Sequence, residues 1–380
     1  MLTTLAVSGY RSLVDVVLPL GSLTVLTGAN GSGKSNLYRA LRLLAAAGHG
    51  QAVGALAREG GLPSVLWAGP EQPQGAGAQG TIRTKRVSVQ LGFASDDLGY
   101  LVDLGLPQIA NTSPFARDPE IKREQVFSGP FARPATLLID RQRAGVRVRG
   151  DDGWVSVTQP IAPGESVLVD LASAADTRDA VTLRRTMNAW RFYDHFRTDA
   201  AAPARLPHIG TRTRWLSNDG ADLAAVWATS EDAGAGAPLE EAVERAFPGS
   251  RVEVAATEGI FDLRLRQPGL LRALGTAELS DGTLRYLLLC AALLPATPPP
   301  LIVVNEPEAS LHEALVAPLG DVLVSAAAHT QVIVVTHSAT LRDRLATAGG
   351  EVVELVSAGF GTQLRDQLPL ERPAWHWPSR

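Results

Sequence analysis

The chain has 380 residues, of which 45% are hydrophobic, and a formal net charge of −4. That length and apolar content allow roughly two or three packed lobes and exclude a disordered or fibrous protein. The acidic balance excludes a uniformly basic nucleic-acid coat, although local patches can still meet a phosphate backbone. A single cysteine, Cys290, lies in an apolar run and reads as a buried small hydrophobe, which rules out an intramolecular disulfide and a cysteine-based zinc cage. No charged, apolar and cleavage regions follow one another at the N-terminus. The longest apolar run, Tyr286 to Pro295, falls well short of the roughly 20 residues of a membrane span, so a cytoplasmic protein with no membrane partner is expected.

Residues 1–27 read as two strands joined by a turn at Gly9–Ser12, followed by the buried strand Leu23–Thr27. Tyr10 and Arg11 are either turn residues or a lid over an adenine or ribose. Next comes Gly28-Ala29-Asn30-Gly31-Ser32-Gly33-Lys34-Ser35, which matches G-x-x-x-x-G-K-[ST] and leads through Asn36 into a helix with apolar residues at helical spacing. This is a P-loop. Its glycines permit the backbone angles that turn successive N–H groups toward a phosphate, at the positive end of the following helix. Lys34 is expected to reach the β and γ phosphates of a nucleotide and Ser35 to hold Mg²⁺.

From Gly48 to Gly80 the density of Gly, Ala and Pro predicts a surface loop. Short runs with the strand period then recur between Arg86 and Val157, with Asp152-Gly153 as a hairpin turn, and predict an antiparallel sheet that extends the P-loop lobe. A helix is predicted over Thr182–Phe196, then helices over Ala221–Ser230 and Pro238–Phe247 and strands over Arg251–Ala255 and Phe261–Leu265. No heptad run is long enough for a coiled coil. Two stretches are rich in cations: Arg117 to Arg149, with eight basic and four acidic residues, and Arg178 to Arg214, with eight arginines against Asp179, Asp194 and Asp199. Both are candidate contacts for DNA or ordinary solvated faces.

The remaining motifs lie between 278 and 338. Ser280-Asp281-Gly282-Thr283 opens an apolar helix, Leu284 to Leu294, and offers a second anion site by the physics of the P-loop, or an ordinary N-cap. Leu301-Ile302-Val303-Val304 fits a strand buried on both faces that delivers Asn305-Glu306-Pro307-Glu308 to its C-terminal end. After a helix predicted over Leu311–Ala327, Gln331–Val335 repeats the pattern and delivers Thr336-His337-Ser338.

In this order the motifs resemble those of ABC-type ATPase heads, and more narrowly the soluble RecF and SMC-like branch, predicted AAA-family ATPases of the AAA_21 type. The matching segments are roughly 1–45 and 275–358. The resemblance implies an α/β fold with a mixed sheet, an antiparallel β subdomain and a helical signature lobe, divided as 1–170, 171–270 and 271–380. It implies ATP and Mg²⁺ as cofactors and a second copy of the chain as partner, with ATP sandwiched between two composite sites. Asn30, Gly31, Ser32, Gly33, Lys34, Ser35 and Asn36 take the Walker A role. Ser280, Asp281 and Gly282 are the signature that touches the γ-phosphate bound by the other copy, and Ser310-Leu311-His312 is the D-loop. Glu306 is the general base, His337 the switch residue, and Lys34 the third catalytic group. The Q-loop glutamine is open among Gln108, Gln125 and Gln142.

Two positions depart from the pattern. Ser-Asp-Gly-Thr stands where transporters have Ser-Gly-Gly-Gln, which argues against a transporter subunit. Asn305 stands where Walker B has Asp; an amide accepts a hydrogen bond from a metal-bound water but lacks the charge that Mg²⁺ prefers. Weak Mg²⁺ binding and slow turnover are therefore expected, and Asn305→Asp is expected to tighten the Mg²⁺ dependence. Two functions follow. One is a slow ATPase whose ATP-dependent dimer acts on DNA, in repair or phage defence, with any nuclease or effector activity coming from a partner, because the chain leaves no room for a C-terminal nuclease domain. The other is a nucleotide-gated sensor or scaffold that controls a partner protein without touching nucleic acid.

Overall fold

The computed structural model describes residues 1–71, 86, 88–107, 117–171, 177–368 and 370–379. Two compact units form, one from Met1–Gly21, Gly28–Trp190 and Val353–Arg380, the other from Ser22–Thr27 and Arg191–Val352. The segment 171–270 is thus shared between the units, with the division at Trp190/Arg191.

The first unit is built on an eight-stranded antiparallel sheet. Its spatial order is Leu13–Pro19, Leu2–Tyr10, Val89–Ser95, Leu98–Gly105, Glu120–Ser128, Leu137–Gln142, Gly145–Gly150 and Gly153–Ser156. Strands consecutive in sequence are mostly neighbours, as short alternating runs joined by tight turns require. The P-loop helix, Lys34–Gly48, buries Leu37, Ala40, Leu41 and Leu44, a stripe at helical spacing. The passage expected as a surface loop contains a helix, Ala52–Arg58, because Ala52 and Leu56 fall one turn apart and both reach the core. A 3₁₀ turn follows at Leu62–Val65, and 72–80 lies outside the described residues. Near the C-terminus Trp375 and Trp377 pack on Ala94, Leu101 and Phe127 of the sheet.

In the second unit four strands lie side by side, all parallel, in the order Arg191–Tyr193, Leu301–Asn305, Gln331–Val335 and Leu23–Thr27. Leu301 to Val304 and all five residues from Gln331 to Val335 are buried, as expected for strands covered on both faces. The signature helix, Asp281–Leu293, is buried over every residue from Leu284 onward, Arg285 included, so it presents no solvent face beyond its first turn. Each such Leu contributes about 1.5–3 kcal/mol of burial. The helices Leu223–Asp232, Ala237–Ala246 and Val316–Ala327 pack against it, and Ala339–Thr347 packs on Val316–Ala327.

One expected helix is corrected. Over Thr182–Phe196 the helix is only Arg178–Asn188, and Arg191–Tyr193 is an edge strand on Leu301–Asn305. Aromatic residues suit a strand, and Tyr193 stays in the core from that position. The helix expected from Leu311 begins at Val316, after a 3₁₀ turn at Glu313–Leu315. Among the described residues no helix is long and apolar enough to cross a membrane.

Cys290 is fully buried in the signature helix, and burial pushes its thiol up to about 12. Thiol labelling of the folded protein near neutral pH is expected to leave Cys290 unmodified, with full reaction after denaturation. Rapid labelling of the native chain would contradict this packing.

Candidate functional site: a phosphate cradle and a catalytic strand end

The cradle belongs to the first unit. Gly33 caps the P-loop helix in a left-handed conformation, φ 105°, where a Cβ would stand 2.1 Å from Thr362 Oγ1. Thr362 holds the loop from behind: its hydroxyl donates to Ser32 O at 2.9 Å and shares a 2.7 Å hydrogen bond with Ser12 Oγ. Asn36 Nδ2 donates to the same Ser12 Oγ at 2.9 Å, so Asn36 braces the loop. Lys34 is buried, and its ammonium donates to Gly28 O at 2.5 Å and Ala29 O at 3.0 Å. Asn30, Gly31 and Ser35 are exposed at the mouth. Tyr10 is fully buried and donates to Glu59 at 2.6 Å, which closes its ring to a base; Arg11 pairs with the same carboxylate at 2.7 Å.

The candidate catalytic strand end belongs to the second unit. Parallel pairing sets Asn305 opposite Val335, and Glu306 N donates to Val335 O at 2.7 Å. The turn that follows holds Glu306 at φ 49° and Ser310 at φ 63°, both unusual for residues with a Cβ. Glu308 then ties the two strand ends together. Its Oε1 accepts from Thr336 Oγ1, from His337 N at 3.0 Å and from Ser338 N at 3.1 Å. With its backbone so fixed, His337 brings Nε2 to 3.0 Å from Glu306 Oε1, both side chains 39% exposed. A carboxylate and an imidazole in contact, accessible to solvent on a rigid scaffold, can polarise and orient a water.

Three residues that sequence reasoning missed complete this end. Asp194 follows the edge strand and accepts from Asn305 Nδ2 at 2.8 Å. Arg285, buried in the signature helix, places Nη1 2.8 Å from His195 Nδ1 and Nη2 3.4 Å from Glu306 O. Burial pulls its guanidinium down, opposed by the charges of Glu308, Asp194 and Glu306. Arg205, also buried, donates to the carbonyls of Thr198, Thr276 and Leu279 at 2.8–2.9 Å and to Asp281 Oδ1 at 2.6 Å. It thereby fixes the approach to the signature helix. Only its burial distinguishes it from a surface arginine, and that is invisible in a linear pattern.

Ser280 is the N-cap of that helix and accepts from Thr283 N at 3.2 Å, with the cap exposed. Asp281 is engaged by Arg205, and Gly282 lies beside Ser310 O. His312 caps the 3₁₀ turn through Nδ1, accepting from Ala314 N at 3.2 Å. Of the glutamines, Gln125 is buried and donates to Asp140 at 2.8 Å, Gln142 is exposed on a strand, and Gln108 lies outside the described residues.

The cradle of the first unit has room and donors for a phosphate, and the strand end of the second offers an acceptor. Gly31, at φ 78°, has no atom within 4 Å of a built Cβ, and Ser32 Oγ is buried without a hydrogen-bond partner among the described residues. Asn305 Oδ1 is likewise buried and unpartnered among them, an acceptor waiting for a donor.

A family model described as "AAA domain, putative AbiEii toxin, Type IV TA system", AAA_21, matches residues 23–343. The chain belongs to the AAA_21 family. No curated protein sequence matches it. Among solved structures, the Smc head domain of Pyrococcus furiosus, with an extended coiled coil and bound to the C-terminal domain of ScpA, matches at TM-score 0.50 and 12% identity, covering 96% of this chain and 95% of that one. An SmcHead bound to the C-winged helix domain of ScpA gives 0.49 at 15% identity, covering 96% and 97%. The SMC head domain of Thermotoga maritima gives 0.44 at 16% identity over the same shares. The AAA_21 chain thus shares its fold with the Smc head domain of Pyrococcus furiosus.

Arg205→Ala strips a buried donor from four carbonyls, that of Ala277 included, and from Asp281, and is expected to lower the unfolding free energy by about 2–4 kcal/mol, measured by urea denaturation. An unchanged midpoint would mean that water satisfies those groups.

Proposed function

We propose that this AAA_21 protein hydrolyses ATP slowly, and that ATP closes it onto a second copy of itself to control a partner. The carrying observation is the 3.0 Å contact of Glu306 and His337, held by Glu308 at the ends of two buried parallel strands. Glu306 takes a proton from the attacking water, and His337 keeps that water in line. Lys34 and the backbone N–H groups of residues 30–36 bind the phosphates. Mg²⁺, when bound, supplies charge neutralisation on the phosphates; Ser35 and Asn305 would hold it, and the missing charge at Asn305 makes turnover slow. Ser280 and Gly282, at an exposed helix N-terminus, serve the γ-phosphate of the second copy.

Two outputs remain. For DNA speak Arg149, stacked 5.6 Å from the Trp154 ring, and Arg214, 4.5 Å from the Trp215 ring, cation and aromatic together as in single-strand binders. For a partner protein speaks the fate of seven other cations in the two basic stretches. Lys122, Arg123, Arg141 and Arg147 pair with Glu120, Asp140 and Glu124, and Arg197, Arg205 and Arg212 pair with Asp199, Asp281 and Asp232. Seven of the sixteen cations are thus neutralised within the chain, so the basic count overstates the charge available to a phosphate backbone, and control of a partner protein is the output we favour.

Glu306→Gln is expected to keep ATP binding, lose about 100-fold or more in turnover, and run as a dimer with ATP and a monomer without it in light-scattering sizing. Adding Ser280→Arg is expected to abolish that dimer. A monomer under all conditions would contradict the proposal. An ATP-dependent, salt-sensitive shift of DNA by the purified protein would restore the nucleic-acid reading.

A further inference from the structure

The edge strand Arg191–Tyr193 pairs with Ile302–Val304 in parallel register, Arg191 beside Ile302 and Tyr193 beside Val304. One residue further, Asp194 comes level with Asn305, and the two side chains meet at 2.8 Å. Only the Nδ2 of an asparagine can donate to a carboxylate, so Asp194 decides which way the Asn305 amide points. Oδ1 is left facing away, buried and without a partner among the described residues. An acceptor so oriented suits a donor such as a metal-bound water, and the carboxylate that Walker B lacks stands one hydrogen bond behind it.

We infer that Asp194 is a positioning residue for the metal: the Walker B function is split between Asn305, which supplies the acceptor, and Asp194, which supplies the negative charge and fixes the acceptor's orientation. This rests on the proposed ATPase reading. Arg285 is the cation facing the group, attracted by Asp194, Glu306 and Glu308 together. A second carboxylate at 305 would lie against Asp194, so Asn305→Asp alone adds repulsion along with charge. The tightening expected from the sequence is therefore not expected of Asn305→Asp alone.

The test uses Glu306→Gln as parent, so that binding is read without turnover. A fluorescent ATP analogue is titrated in EDTA and then with increasing Mg²⁺. Asp194→Ala and Asp194→Asn are each expected to raise the Mg²⁺ midpoint by about tenfold or more while leaving the metal-free affinity unchanged. The exchange Asp194→Asn with Asn305→Asp is expected to bring the midpoint back to that of the parent. An unmoved midpoint in both single variants overturns the inference. So does an equal loss of affinity in EDTA, which would make Asp194 merely structural. If the parent fails to bind the analogue with or without Mg²⁺, the ATPase reading falls first, and the inference with it.

Discussion

The parallel pairing of Leu301–Asn305 with Gln331–Val335 is the constraint on which the contact of Glu306 with His337 depends. Both strands are buried, so their register is held by packing as well as by backbone hydrogen bonds. They must also stop at the same level, because the next residues are polar. Glu308 converts that shared level into geometry: one carboxylate oxygen takes two backbone N–H groups and a hydroxyl from the 336–338 turn. A site built from strand ends in this way is held more precisely than one on free loops. The positive φ of Glu306 is the strain accepted to turn its carboxylate toward His337.

Much of this was legible in the sequence because the signals are local. A fully apolar run that ends in Asn-Glu-Pro-Glu and another that ends in Thr-His-Ser announce buried strands with a site at their tips, and the glycines and lysine at 28–35 announce a phosphate cradle. Asp194 was not legible. Leu183, Met187 and Trp190 continue a helical stripe, and a three-residue edge strand is too short to show its own period, so Asp194 read as part of a helix. Arg205 and Arg285 were hidden for another reason. Their meaning comes from carbonyls and carboxylates far along the chain, which only the fold brings near. The passage after the P-loop helix misled by composition, since alanine is as much a helix former as a linker residue.

Charge tells a similar story. Both basic stretches look like nucleic-acid surfaces when counted, yet seven of their sixteen cations pair with carboxylates of the same chain, and Arg141 and Glu124 are wholly buried together. Such pairs are costly to break and specify one arrangement of their sheet, a structural use of arginine that composition does not separate from a binding use.

At the centre of the account stands the claim that one active site takes Lys34 from one copy and Ser280 from another. Steady-state ATPase measurement on mixtures of Lys34→Ala and Ser280→Arg proteins tests it most directly. Each alone is expected to be inactive, and mixing is expected to restore activity, because a mixed dimer keeps one intact pairing of cradle and signature. Equal silence of the mixture and its parts, with both variants folded, would contradict the account.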